Sequence, residues 1–278
     1  MRDCLSGGIP TQSKYTTLLK SRELGELKEF SNHFLTLNKK YLKNYSTKWV
    51  TNPLNQWSRQ WEYPFVFSRI QPIMETKQTR RILDAGSGIS FFPYYIKSKY
   101  DCTDVYCCDI DTHFKDIFQR INSNSEENLK FSIGDLKELP YEDKWFDVIY
   151  CISVLEHTGD YEKIIEEFHR IIAPGGRLIV TFDISIDGTR DINVEMAEIL
   201  LRALTERFNN DEDISLNVRS QVSIPGIFTT LTAKDIDVNL LPWKFPSIIY
   251  RLQSLITGKA YGLWPPPLTV FCLALSHI

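Results

Sequence analysis

Between Asp84 and Gly88 the chain reads Asp-Ala-Gly-Ser-Gly, directly after the apolar pair Ile82-Leu83 and just before Phe91-Phe92-Pro93-Tyr94-Tyr95-Ile96. A short buried strand that ends in an acid and turns on two glycines lets the backbone fold back with no Cβ in the path of a ligand. Two further acids follow apolar runs: Asp109 after Val105-Tyr106-Cys107-Cys108, and Asp135 after Leu129 to Ile133 and Gly134. An acid about 20 residues past such a turn is placed to accept ribose hydroxyls, in charge-assisted bonds of roughly 1.5–3 kcal/mol each at most. The chemistry offered is the seating of a nucleoside-bearing cofactor.

Two kinds of cofactor use such a turn. A dinucleotide fingerprint needs Gly-x-Gly-x-x-Gly, with a pyrophosphate on the helix N-terminus. Here the third glycine position is Phe91, and Asp84 would set a carboxylate beside a diphosphate, where like charges repel. S-adenosylmethionine carries a sulfonium and an ammonium and no phosphate, so an acid before the turn favours it. At these residues the sequence resembles the class I S-adenosylmethionine-dependent methyltransferases of small-molecule type, whose first motif runs acid-x-Gly-x-Gly-x-Gly. Asp84, Gly86 and Gly88 match it, and Ser90 replaces the last glycine.

The resemblance implies roles residue by residue. Asp84, Gly86, Ser87 and Gly88 form the cofactor turn, Asp109 takes the ribose, Ile110 lies against the adenine, and Asp135 with Leu136 receives the adenine amino edge. Cys151 and Ile152 carry the methionine part along the backbone. Similar methyltransferases bind a divalent cation through Glu-x-x-Glu-His at the following positions. This chain reads Ser153-Val154-Leu155-Glu156-His157, and the loss of one hard anionic ligand leads to the expectation of no metal. His157 is a candidate for the acceptor side.

The elements that must position these residues alternate strand and helix, the pattern of a doubly wound, mostly parallel sheet with helices on both faces. Strands are expected at Ile82-Leu83, Val105–Cys108, Leu129–Ile133, Phe146–Cys151, Arg177–Phe182 and Leu268–Leu275. Helices are expected from Tyr161 with Asp160 as N-cap and over Ile192–Phe208, with a further strand near Ile227–Thr232. The order of 209–262 is otherwise left open. Together these describe an α/β Rossmann-like domain over 76–278.

Residues 1–75 read as an N-terminal helical and aromatic cap, its first 13 residues loose. From Ser21, Leu27, Phe30, Phe34, Leu37 and Tyr41 recur at spacings of three and four and define one apolar helix face. Trp57 to Phe67 is denser in aromatics than the chain's 13% average. Pro64 biases Tyr63 towards an extended backbone, on which Trp61 and Tyr63 would point to the same side. At least one of the two is expected to face the acceptor, with His157 opposite.

Composition narrows the partners. With 43% hydrophobic and 24% charged residues over 278 positions, the chain reads as a globule with a sizeable core. A formal net charge of -3 gives no pull towards nucleic acid. No charged leader and no apolar run of about 18 residues is seen, so the expectation is a cytoplasmic protein without membrane contact. The six cysteines lack Cys-x-x-Cys spacing and read as reduced packing residues. The expected activity is methyl transfer from S-adenosylmethionine to an O or N atom of a small molecule. Methylation of protein or RNA, and a cofactor-binding subunit without catalysis, stand as alternatives; a nicotinamide-dependent oxidoreductase fits least. Oligomeric state is not legible.

Overall fold

Residues of the central strands alternate between two hydrophobic layers. Ile82, Val148, Tyr150 and Ile179 face one, and Leu83, Ile149, Cys151, Leu178 and Val180 the other. A sheet buried on both faces requires this near-continuous apolar character. The computed structural model describes residues 5–43, 52–75, 80–210, 212, 214–241, 255–256 and 264–277.

Three helices come first: α1 (Gln12–Leu19), α2 (Arg22–Leu42) and α3 (Arg59–Met74). Then follow β1 (Arg80–Ala85), α4 (Phe92–Lys99), β2 (Thr103–Asp109), α5 (Phe114–Asn122), β3 (Lys130–Ile133) and β4 (Phe146–Ile152). After these come α6 (Tyr161–Ile171), β5 (Ile172–Ser185), α7 (Val194–Arg207) and β6 (Phe208–Asn210). The last are α8 (Val218–Val222), α9 (Thr230–Ile236) and β7 (Leu268–His277). The described strands form one sheet in the order β3-β2-β1-β4-β5-β7-β6. The β1–β2, β1–β4, β2–β3 and β4–β5 pairs are parallel, and β7 runs antiparallel to both β5 and β6. The doubly wound, mostly parallel architecture read from the sequence is the one observed.

Helices α1 to α5 contribute to one hydrophobic layer, whereas α6 and α7 pack on the other through Ile164, Phe168, Leu200 and Leu204. In α2, Ser21 caps the start by accepting from the Leu24 N–H. Leu24, Leu27, Phe34 and Leu42 are buried, but Leu37 is 60% exposed, so the apolar face is narrower than its spacing suggested.

Several expectations are corrected. The first residues are tied down: Leu5 is buried, Gly8 bridges Cys272 of β7, and α1 starts at Gln12. Trp61 and Tyr63 lie in α3, with Pro64 and Pro72 inside the helix. Most apolar side chains of α3 from Trp61 to Met74 are buried, and packing on that scale overrides the extended bias before a proline. Asp160 is left-handed (φ 55°) and makes no side-chain cap to α6. Ile227 makes only a bridge to Thr11; Thr229 and Thr232 then form a capping box that opens α9 where a strand was expected. Cys107, Cys108, Cys151 and Cys272 are buried free thiols, Cys102 is exposed, and Cys4 lies outside the described residues. Among the described residues no helix is long and apolar enough to cross a membrane.

Candidate functional site

The strand order reverses between β1 and β4, which opens a crevice at their carboxyl ends. A cavity of about 850 Å³ occupies it, within the range of roughly 300–1,000 Å³ usual for small-ligand sites. It has two halves.

The first half is built on the glycine turn. Gly86 has φ +74°, and a Cβ there would stand 2.7 Å from Cγ2 of Val154, so only glycine fits. The Gly88 N–H donates to Oδ2 of Asp109 at 2.8 Å, and the Asp111 N–H donates to its Oδ1 at 3.0 Å. Ser90, in the place of the family's last glycine, is used: its Oγ accepts from the Phe92 N–H at 3.3 Å at the start of α4. Phe91 and Phe92 are buried and pack on Tyr63, Phe92 stacked at 4.5 Å between centroids and Phe91 edge-on at 5.4 Å. The side chain that rules out a dinucleotide turn thus helps to clamp α3 over this one.

Asp84, Gly86, Ser87, Gly88, Asp109, Ile110, Asp135, Leu136 and Ile152 all line the cavity. Cys151 does not; its side chain lies in the α6–α7 layer and its backbone pairs with Val180. Burial pushes the Asp84 carboxyl up to about 8, with the neighbouring Tyr150 hydroxyl acting against the rise. Ile110 is 69% exposed at the lip beside Asp109. The Asp135 Oδ1 accepts from the Lys137 N–H at 3.0 Å, in the manner of a turn aspartate.

The second half lies between α3 and the ends of β4 and β5. Tyr63 and His157 line it; Trp61 is fully buried in the core and does not. On a helix two residues apart diverge by about 200°, which is why one ring faces the cavity and the other the core. Nδ1 of His157 lies 3.3 Å from Oδ1 of Asp191, and that bond raises its pKa.

Four charged residues here went unassigned in the sequence reading. Arg59 pairs with Glu62, one helical turn on, and its Nη1 also donates to Oγ of Ser153. Ser153 donates to Oε1 of Glu62 at 2.7 Å, and Thr181 of β5 donates to the same oxygen. Glu156 and Asp183 both line the cavity. The Asp183 N–H donates to Oε1 of Glu156 at 3.2 Å, while Oε2 of Glu156 and Oδ1 of Asp183 are buried with no hydrogen-bond partner among the described residues. Burial pushes Glu156 up to about 7 against the opposing charge of His157, and pushes Asp183 well above the carboxylate range. One signal for Asp183 was present: like Asp109 and Asp135, it is an acid at the end of an apolar strand.

A family model described as a methyltransferase domain matches residues 83–180. Demethylmenaquinone methyltransferase of Deinococcus radiodurans is 28% identical over 101 residues, covering 36% of this chain and 42% of that protein. Ajmaline N-methyltransferase of Rauvolfia serpentina is 32% identical over 108 residues, 37% of this chain and 36% of that one. The chain thus matches less than half the length of these relatives. The solved structure of the [4+2]-cyclase SpnF superposes with a TM-score of 0.50 at 18% identity, over 80% of this chain and 82% of that one. That likeness concerns the fold, and it joins the matched motifs to the observed sheet order. Residues 83–180 thus match a methyltransferase domain, and the chain has a Rossmann-like fold, a mostly parallel sheet with helices on both faces.

Proposed function

We propose that the protein transfers a methyl group from S-adenosylmethionine to an O or N atom of a small molecule. The observation that carries this reading is the cavity in which the glycine turn, Asp84 and Asp109 open onto a separate polar compartment roofed by α3. The residues fit the cofactor. Asp84 is a buried acid whose ionisation a ligand's ammonium or sulfonium would favour. Asp109 lines the cavity, and exposed Ile110 offers an apolar seat for a base. When bound, S-adenosylmethionine supplies a methyl carbon already activated by its sulfonium. The chain's own part is alignment and exclusion of water: the glycine turn and Asp109 orient the nucleoside end, and the residues of α3 close the compartment from above.

The names of the relatives, a demethylmenaquinone methyltransferase and an ajmaline N-methyltransferase, support an acceptor of small-molecule size. Residues 1–75 are read as the cap that selects it, with Tyr63, Arg59 and His157 at the compartment wall. The fold alone does not assign the reaction, since it also carries a protein described as a cyclase. Thermal shift with S-adenosylmethionine, S-adenosylhomocysteine and NAD tests the first step. A ligand at about 100 times its Kd stabilises by about 2.7 kcal/mol. A shift with the first two and none with NAD is expected; a shift with NAD alone overturns the reading.

A further inference from the structure

Ser153, the first residue after β4, is left-handed, with φ +47°. A residue with a Cβ avoids that region unless its surroundings hold it there, and such residues gather at functional sites. The hydroxyl of Ser153 accepts from Nη1 of Arg59 and donates to Oε1 of Glu62 at 2.7 Å, while its N–H donates to the Thr181 carbonyl at 2.9 Å. Glu62 is the centre of this set. Its Oε1 also accepts from the Thr181 hydroxyl and its Oε2 from Arg59. One wholly buried carboxylate therefore gathers donors from α3, from the residue after β4 and from β5.

The left-handed residue ends the extended path of β4, and the next side chain, Val154, is set against the glycine turn. A Cβ on Gly86 would stand 2.7 Å and 2.8 Å from its two methyl carbons. Gly86 and Ser87 in turn donate their N–H groups to the Cys108 carbonyl, and Gly88 donates to Asp109. Contacts thus run without a break from Glu62 through Ser153 and Val154 to the glycine turn and the end of β2. A carboxylate that only fastened α3 could take its donors from any part of the sheet. Here two of them, Arg59 and Ser153, line the cavity, and Glu62 itself does not.

We propose that Glu62 is a positioning residue for the cofactor: it holds Ser153 left-handed, so that Val154 backs the glycine turn, and thereby links cofactor affinity to the seating of α3. This rests on the methyltransferase reading and adds to it a residue that touches no ligand. Glutamine cannot replace the carboxylate, because it offers one oxygen and its nitrogen must face either the Arg59 guanidinium or the two hydroxyls. Glycine at position 153 bypasses the device, since glycine adopts a positive φ at no steric cost.

The test is a cycle of four proteins titrated with S-adenosylhomocysteine by calorimetry: the unsubstituted chain, Glu62→Gln, Ser153→Gly, and the two substitutions together. Glu62→Gln is expected to weaken binding at least fivefold in the unsubstituted chain and at most twofold in the Ser153→Gly background. A residue that merely anchored α3 would cost the same in both backgrounds. A first loss below fivefold would overturn the proposal, and so would a second loss above twofold. A Ser153→Gly variant that no longer binds would overturn it as well, because glycine needs no help to make this turn. Should Glu62→Gln not fold, Thr181→Val, which removes one of the hydroxyls that Glu62 accepts from, must weaken binding at least threefold, and at most 1.5-fold in the Ser153→Gly background; any smaller first loss or larger second loss would overturn the proposal. Absence of binding to the unsubstituted protein would overturn the methyltransferase reading itself, whereas binding without this dependence on Ser153 would overturn the role of Glu62 alone.

Discussion

The Gly88 N–H donates to Oδ2 of Asp109 at 2.8 Å, so the acid at the end of β2 holds the turn that follows β1. One carboxylate thus shapes the glycine turn and lines the cavity. Asp109→Ala is expected to weaken S-adenosylmethionine at least tenfold, through lost ribose contacts and a loosened turn. The fold should survive, because the sheet ladder does not depend on this side chain. Calorimetric titration beside a melting curve checks both. Unchanged affinity with an intact transition would remove Asp109 from the site.

Gly86→Ala combines a positive φ with a contact at 2.7 Å to Val154. A cost of about 1–3 kcal/mol in stability is expected from the backbone alone, with cofactor affinity reduced as well. Adding Val154→Ala relieves the contact but not the torsion. Partial recovery in the double variant is therefore the expected result. Full recovery would show that the conformation imposes no penalty, and no recovery that the contact is immaterial.

Trp61 and Tyr63 should separate in their effects. Trp61 is wholly buried away from the cavity, so Trp61→Ala is expected to cost about 3–5 kcal/mol of stability. Where the variant is folded, its acceptor KM should be near normal. Tyr63→Leu removes a ring at the cavity wall and is expected to raise the acceptor KM several-fold at constant cofactor affinity. The reverse pattern in steady-state kinetics would mean that α3 presents a different face.

Ser153 stands where related methyltransferases place a metal-binding glutamate, and its hydroxyl is engaged by Arg59 and Glu62. Methyl transfer is accordingly expected to withstand exhaustive chelation. Loss of activity on treatment with a chelator, restored by magnesium, would contradict this.

Stability of the ligand-free protein should fall as pH rises. Asp84 and Glu156 are pushed up to about 8 and about 7, chiefly by burial, and His157 is raised by its bond to Asp191. Each group with a raised folded pKa contributes stability that is complete below its unfolded value and is lost as pH climbs through the folded one. All three act in the same direction, so melting temperature should decline between about pH 5 and pH 8. Glu156→Gln should flatten the part of that decline below about pH 7. A melting temperature that rises across this window would show that these groups are ionised without penalty.

The glycine turn, the acids at the strand ends and the parallel core of the sheet were legible in the residues because they rest on local rules. Gly86 needs a positive φ whatever surrounds it, and Ile82-Leu83 or Val148-Ile149 can only be strands buried on both faces. The path of Trp61 to Phe67 was not legible. The residue before Pro64 leans towards extended backbone by a local preference of modest size, and burial of most of α3 outweighs it. The same holds for residues 5–13, whose loose composition gave no hint of the partner strand β7 that pins Gly8. Least accessible was the pairing of Glu156 with Asp183, 27 positions apart. Each residue alone resembles an ordinary turn or strand-end acid. Only the parallel register of β4 and β5 brings the end of one strand beside the other, so that the Asp183 N–H reaches the Glu156 carboxyl.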